Sequence, residues 1–320
     1  MQHVIRHFPT AAAGLTLALC GSLCLAQAPA HAPAPPVVKE GKTIKISEHV
    51  YVIPDERAPM VPNVGIIVGT RGTLIYDPGM GLESGQIVLR EAQKVSRGPE
   101  IYIVNSHFHP EHTTGEMAFP ANAKIIRAKA QQLDIEEMGI KWVQTFASRS
   151  PVIADVLKGF TAFRAPAEFF DREKTLDLGG VRVRVMLLGP GHTRGDTIAF
   201  VEEDRVLFSG DLVMKSLFPA FATPQSSGRA WLTSLDLLDK FQARAVIGAH
   251  YPLSDASVIG EYRDYLRTLQ ARVAELKKQG KSSDDTAVQV RGEFQKKYPD
   301  WAQPIRIHPA ATVFYKESDG

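Results

Sequence analysis

Residues 105–116, NSHFHPEHTTGE, place three of the chain's ten histidines within six positions, directly after the apolar run EIYIV. A β-rich segment that runs straight into such a loop has to end where other loops gather. His107 and His109 are two apart, so an extended backbone points both rings the same way, toward a single ion. His112 lies beyond Pro110-Glu111, where a turn aims it at a neighbouring position. Further on, GPGHTRGDT supplies His192, FSGDLV supplies Asp211 and IGAHYPL supplies His250. These are short loops with small neighbours, which let the backbone approach closely. A lone histidine after a strand is more often a hydrogen-bonded structural residue than a ligand, but five in the same setting point to a metal site. His49 and His308 lack such surroundings and read as structural or surface residues. Nitrogen and oxygen donors without sulfur favour zinc, with iron and manganese as alternatives.

The strands are legible from their apolar runs. HVYVIP, NVGIIVGTRGTLIYDPG and EIYIVNSH read as strands, with a hairpin turn at Thr70-Arg71-Gly72. Leu82, Ile87, Val88, Ala92 and Val95 recur near helical spacing and predict a helix over 82–95. A second set follows: VRVRVMLL (181–188) alternates as a half-buried strand, TIAFVEEDRVLFSGD is a hairpin turning at Glu203-Asp204, and ARAVIGAH is another short strand. Trp231, Leu235 and Leu238 mark one amphipathic helix. Ile259, Tyr262, Leu266, Leu269, Val273 and Leu276 mark a longer one that Gly280 ends. Two strand-rich halves with helices outside predict an α/β fold, a four-layer αββα sandwich, with its site at strand ends.

The N-terminus asks for a separate reading. Arg6 precedes an apolar, alanine- and leucine-rich run from Ala11 to Ala26, so residues 1–26 read as a secretory signal peptide cleaved after Ala26. The run is too short to span a bilayer, which takes about 20 apolar residues. Cys20 and Cys24 both fall inside it, so the mature chain would carry no cysteine and no disulfide. Residues 27–40, rich in Pro and Ala, read as a tether. Residues 41–320 read as one domain with a helical extension from about 255. The expected location is periplasmic or secreted, with no stable membrane insertion after cleavage. With 37 Lys and Arg against 35 Asp and Glu, the charge balance predicts no nucleic-acid partner.

From Val64 to His250 the segments GTLIYDPG, HFHPEH, GPGHTRGDT, SGDL and GAH follow one another in an order that resembles the metallo-β-lactamase superfamily of hydrolases. The resemblance implies the αββα sandwich and a two-metal site between its sheets. It implies one ion on His107, His109 and His192 and a second on Glu111, His112 and His250. Asp211 would bridge them, as in the glyoxalase-like branch, and Asp77 would stand behind the ligands, fixing the histidine loop. Asp77 also fits a plain turn former before Pro78-Gly79. One departure stands out: the family usually has aspartate where this chain has Glu111. The extra methylene moves the carboxylate about 1.5 Å along the side chain, so the second ion is expected to bind more weakly.

Such a site activates water and polarises a carbonyl, which implies hydrolysis of a lactam, lactone, ester or thioester, with Asp211 and Glu111 in the catalytic centre. A one-metal site would instead free Glu111 as a general base. Two other readings stay open: an iron-dependent persulfide-type oxygenase on the same fold, and a non-catalytic periplasmic metal- or partner-binding protein. The partner expected is a small-molecule substrate. Lys215 and Arg194 are candidates to clamp an anionic group, although such residues are more often solvated charges. Phe218 and Phe221, close after the Asp211 loop, are the preferred apolar wall, and the aromatics between Trp142 and Phe170 are a further candidate.

Overall fold

The computed structural model describes Met1 and residues 34–318. The expected signal peptide beyond Met1, with Cys20 and Cys24, and the tether to residue 33 lie outside the described residues. From Val37 onward the chain is not a tether. Val37 and Val38 are buried against the first sheet, and Glu40 pairs with Arg90. The two valines at the end of the Pro/Ala run have apolar surface to hide, which composition alone obscured.

One sheet takes seven strands in sequential order: β1 (Ile44–Lys45), β2 (Val50–Ile53), β3 (Val64–Val68), β4 (Gly72–Tyr76), β5 (Glu100–Val104), β6 (Lys124–Ala128) and β7 (Glu168–Phe170). β1 to β4 form an antiparallel meander, and β4 to β7 are parallel neighbours. Parallel pairing needs crossovers. The helix α1 (Gly81–Val95) joins β4 to β5. The short α2 (Pro110–Thr113) and a 3-10 turn follow β5, and α3 (Lys129–Asp134), α4 (Ile140–Ala147) and α5 (Pro151–Val156) lie between β6 and β7.

The second sheet holds β8 (Glu173–Asp177), β9 (Arg182–Leu187), β10 (Thr197–Val201), β11 (Val206–Gly210) and β12 (Ala245–Gly248), in the order β12-β11-β10-β9-β8. It is antiparallel except at β11 and β12, which are parallel and joined through α6 (Gly228–Leu238). The chain ends in α7 (Ser257–Lys278), α8 (Ser283–Lys297) and α9 (Ile307–Glu317). No helix among the described residues is long and apolar enough to cross a membrane.

Alternation along the strands builds the layers. Leu74 and Tyr76 of β4, Val104 of β5 and Val206 and Phe208 of β11 meet between the sheets. Their alternates face outward. Ile75 and Ile103 pack with Ile87 and Val88 of α1, while Ile198, Phe200 and Leu207 pack with Trp231, Tyr262 and Leu266. The central strands are therefore buried on both faces, which is why β3, β4, β10 and β11 read as continuous apolar runs. The order helix, sheet, sheet, helix is the expected sandwich. Because β4 runs parallel to β5 and β11 to β12, each pair ends at one edge of its sheet, and the loops carrying Asp77, the histidine cluster, Asp211 and His250 all leave from strand ends.

The helix α1 reaches the histidine loop through two glycines. A Cβ at Gly85 would lie 2.0 Å from the Gly115 carbonyl oxygen, and one at Gly115 would lie 2.3 Å from that of Pro78. Gly85→Ala should therefore lower unfolding stability by about 1–3 kcal/mol in urea titration. Gly292→Ala on α8 meets open space and should be neutral or stabilising, by up to about 1 kcal/mol.

Candidate metal centre

The loop after β5 turns into α2 with Pro110 at its first position, where a missing N–H is harmless. Its histidines converge. His192 Nε2 lies 3.2 Å from His107 Nε2 and 3.3 Å from His109 Nδ1. Adjacent ligands of a tetrahedral zinc bound at about 2.0–2.1 Å are separated by roughly 3.3 Å, so these three nitrogens stand as such an ion needs them. A second group gathers Glu111, His112 and His250. Asp211 faces both: Oδ2 is 3.6 Å from His192 Nε2, while Oδ1 is 3.8 Å from His250 Nε2 and 3.9 Å from His112 Nε2. Glu111 Oε1 is also 3.9 Å from His112 Nε2, so the spacings around the second group are wider than around the first.

The opposite nitrogens of four rings are occupied. His112 Nδ1 donates to Asp77 Oδ2 at 3.0 Å, His192 Nδ1 to the Ala220 carbonyl and His250 Nδ1 to the Val61 carbonyl, while His107 Nδ1 shares a hydrogen bond with Ser106 Oγ. This fixes each ring's orientation and leaves Nε2 facing the cluster. Asp77 adopts a left-handed backbone, φ 57°, and its Oδ1 accepts from the Ser106 N–H at 2.6 Å, so one side chain holds both ends of the loop. His112 Nε2, Glu111 Oε2 and Asp211 Oδ1 are buried without a hydrogen-bond partner. Buried polar atoms are rarely left so, and their convergence fits a cation.

The electrostatics agree. Burial, reinforced by the neighbouring imidazoles, holds His107 and His109 well below the usual imidazole range, and burial outweighs the Asp211 carboxylate at His250. These rings offer neutral lone pairs at pH 7. Burial pushes Glu111 up to about 7 against the pull of His112. Burial opposes protonation of His112, yet Asp77, Glu111 and Asp211 together raise it to about 9.

Two acids that the sequence reading passed over hold the other ligand loops. Asp196 accepts from the N–H groups of Gly191 and Thr193 and from the Thr193 hydroxyl, closing the GHTRGD turn around His192. Asp55 accepts from the Tyr251 N–H at 2.7 Å, and Asn63 donates to the Gly248 and Tyr251 carbonyls, which clasps the His250 turn. The acid in GHTRGD was a visible signal. Asp55 and Asn63 act from 196 and 185 residues away and gave none.

A cavity of about 500 Å³ opens over the cluster and exposes His109, Glu111, His192, Asp211 and His250 to it. Its apolar wall includes Met60, Trp142, Phe146 and Ile153, and Trp142 stacks on the His109 ring at 4.2 Å. Arg57, Arg149 and Arg306 also line it. The other candidates lie elsewhere. Arg194 is ion-paired with Asp134 and Glu137, and Lys215 acts on Asp255; neither lines the cavity. Phe218 and Phe221 are core residues, packed on Trp301 and Trp231. His49 is bonded to Asp204 and His308 pairs with Asp284, both outside the cluster.

The Metallo-beta-lactamase superfamily matches residues 57–250. The linear primary-alkylsulfatase of Pseudomonas sp. (strain ATCC 19151) is 23% identical over 260 residues, 71% of this chain and 49% of that protein. The acyl-coenzyme A thioesterase MBLAC2 of Homo sapiens is 28% identical over 165 residues, 47% of this chain and 58% of that protein. The chain thus spans about half the length of these relatives. A metallo-beta-lactamase from Pontibacter korlensis superposes with a TM-score of 0.56 at 18% identity, over 70% of this chain and 98% of that one. Since the matched span contains every cluster ligand from His107 to His250, the chain belongs to the metallo-beta-lactamase superfamily.

Proposed function

We propose that this chain is an exported, zinc-dependent hydrolase of a small-molecule ester, thioester, lactone or lactam, with two ions held by its histidine cluster. The observation that carries the reading is Asp211, whose two oxygens face two separate nitrogen groups. His107, His109 and His192 would hold the first ion, Glu111, His112 and His250 the second, and Asp211 both. Divalent ions at these positions lower the pKa of water toward neutrality and polarise a carbonyl oxygen. The protein's part is orientation: Asp77, Ser106 and the Val61 and Ala220 carbonyls fix the rings, and Trp142 screens the His109 ring. The apolar wall of Met60, Trp142, Phe146 and Ile153 suits an acyl or alkyl group. Relatives named for alkyl sulfates and acyl-coenzyme A thioesters support ester cleavage as the reaction class. The wider spacing around Glu111 and His112 supports a weaker second ion.

His109→Ala should lower both metal content by mass spectrometry and turnover of a panel of lactams, lactones, thioesters and sulfate esters, the latter on the order of a hundredfold or more. His49→Ala should do neither. Equal losses in the two variants would mean that the histidines act through folding, and iron with oxygen uptake would replace the hydrolase by an oxygenase.

Zinc titration followed by occupancy and rate should resolve two affinities. Glu111→Gln should abolish the weaker one and most turnover, while Glu111→Asp should keep or tighten it. Because His112 holds its proton up to about 9, an incoming ion must displace it. The weaker affinity should therefore rise as pH increases from 7 toward 9, by up to about tenfold per unit. A pH-independent second affinity would remove His112 from the ligand set.

Export rests on the basic start and apolar run of residues 1–26. Intact-mass measurement of the protein from a periplasmic extract should give a chain beginning near Gln27. Retention of Cys20 and Cys24 would refute it.

A further inference from the structure

Beside the exposed Arg57, two arginines bring positive charge to the cavity from parts of the chain that carry no metal ligand. Arg149 follows α4, where its guanidinium lies 3.6 Å from the Phe146 ring centroid and its Nη1 rests 3.5 Å from Met60 Sδ. Arg306 comes from the C-terminal segment, beyond the span that the family matches. That segment is fastened to the strand-like stretch after Asp211. Phe218 N–H donates to the Ala302 carbonyl at 3.2 Å, Ala302 N–H donates to that of Ser216 at 2.9 Å, and Arg306 Nη1 donates to that of Phe218 at 3.2 Å. Trp301, packed on Phe218, Tyr262 and Tyr265, anchors it. Gln303 takes a left-handed turn, φ 62°, and also lines the cavity.

Arg306 is half-buried and Arg149 exposed; several other arginines of this protein have a carboxylate partner, as Arg127 has Glu116, Arg194 has Asp134 and Arg272 has Glu293. Among the described residues, neither Arg149 nor Arg306 has an ion pair. Their fields reach the ligand acids, since Arg149 favours the charged form of Glu111 and Arg306 that of Asp211. Two like charges lining one cavity repel, and an anion between them relieves that repulsion while accepting planar, charge-assisted hydrogen bonds. We propose that Arg149 and Arg306 recognise a carboxylate or sulfo group of the substrate, so that the substrate is an amphiphilic anion whose apolar part lies along Trp142 and Phe146. This deepens the hydrolase reading and rests on it.

Calorimetry on the zinc-loaded protein would use hexanoate, hexane-1-sulfonate and hexan-1-ol as probes. At least one anion should bind about tenfold or more tightly than the alcohol, and the tighter of the two identifies the acid group. Arg149→Gln and Arg306→Gln should each weaken that anion about tenfold and leave hexan-1-ol within about twofold. Arg306→Lys, which keeps the charge, should retain part of the preference; with Arg149→Gln it decides the matter if Arg306→Gln proves unfolded by thermal melting. Equal binding of alcohol and anions, or anion binding unchanged in folded Gln variants, would overturn the proposal, the latter placing the anion on the metal instead. A protein that shows the arginine-dependent preference but cleaves nothing in the substrate panel would sink the hydrolase reading and leave the anion site standing.

Discussion

Five imidazoles and two carboxylates are buried together at the mouth of one cavity, and their own hydrogen bonds satisfy only part of them. Four rings have one nitrogen held and the other turned toward the cluster, while Asp211 Oδ1 and Glu111 Oε2 have no partner. Leaving such groups desolvated and unpaired is expensive. A cation at their centre offsets that cost. Much of the surrounding architecture serves to keep the unpaired atoms together until one arrives.

The fold manages this with strand ends rather than with a rigid helical cage. Parallel pairing of β4 with β5 and of β11 with β12 brings successive loops out at one edge of each sheet. Short polar clasps then fix each loop: Asp77 for the histidine cluster, Asp196 for the His192 turn, and Asp55 with Asn63 for the His250 turn. The glycines at 85 and 115 let α1 and the histidine loop approach at backbone distance. The sandwich therefore supplies direction, and the small acids supply position.

Much of this was legible in the sequence because it is local. The continuous apolar runs that became β3, β4, β10 and β11 and the alternating run that became β9 are set by neighbours in the chain, and the spacing of Ile87, Val88 and Ala92 marked the inner face of α1. The ligand histidines announced themselves by their density after a strand. Val37 and Val38 were hidden by the prolines before them, and β7 and β8 by their charged, partly exposed residues.

What the sequence determined by itself is the set of donors and the layers that carry them, since two-residue and helical periodicities and a six-residue ligand run are encoded by neighbours in the chain. Which charges face the cavity was decided only by the tertiary structure. Arg194 and Lys215 stand beside ligands in sequence, yet Arg194 is captured by Asp134 and Glu137 and neither residue lines the cavity. Arg149 and Arg306 stand 37 and 56 residues from the nearest ligands in the chain, His112 and His250, and line it. A side chain's direction depends on where its helix packs, and the helices here are placed by long-range burial, through Trp301 against the α7 tyrosines and α4 against Met80. No neighbouring residue in the chain carries that information.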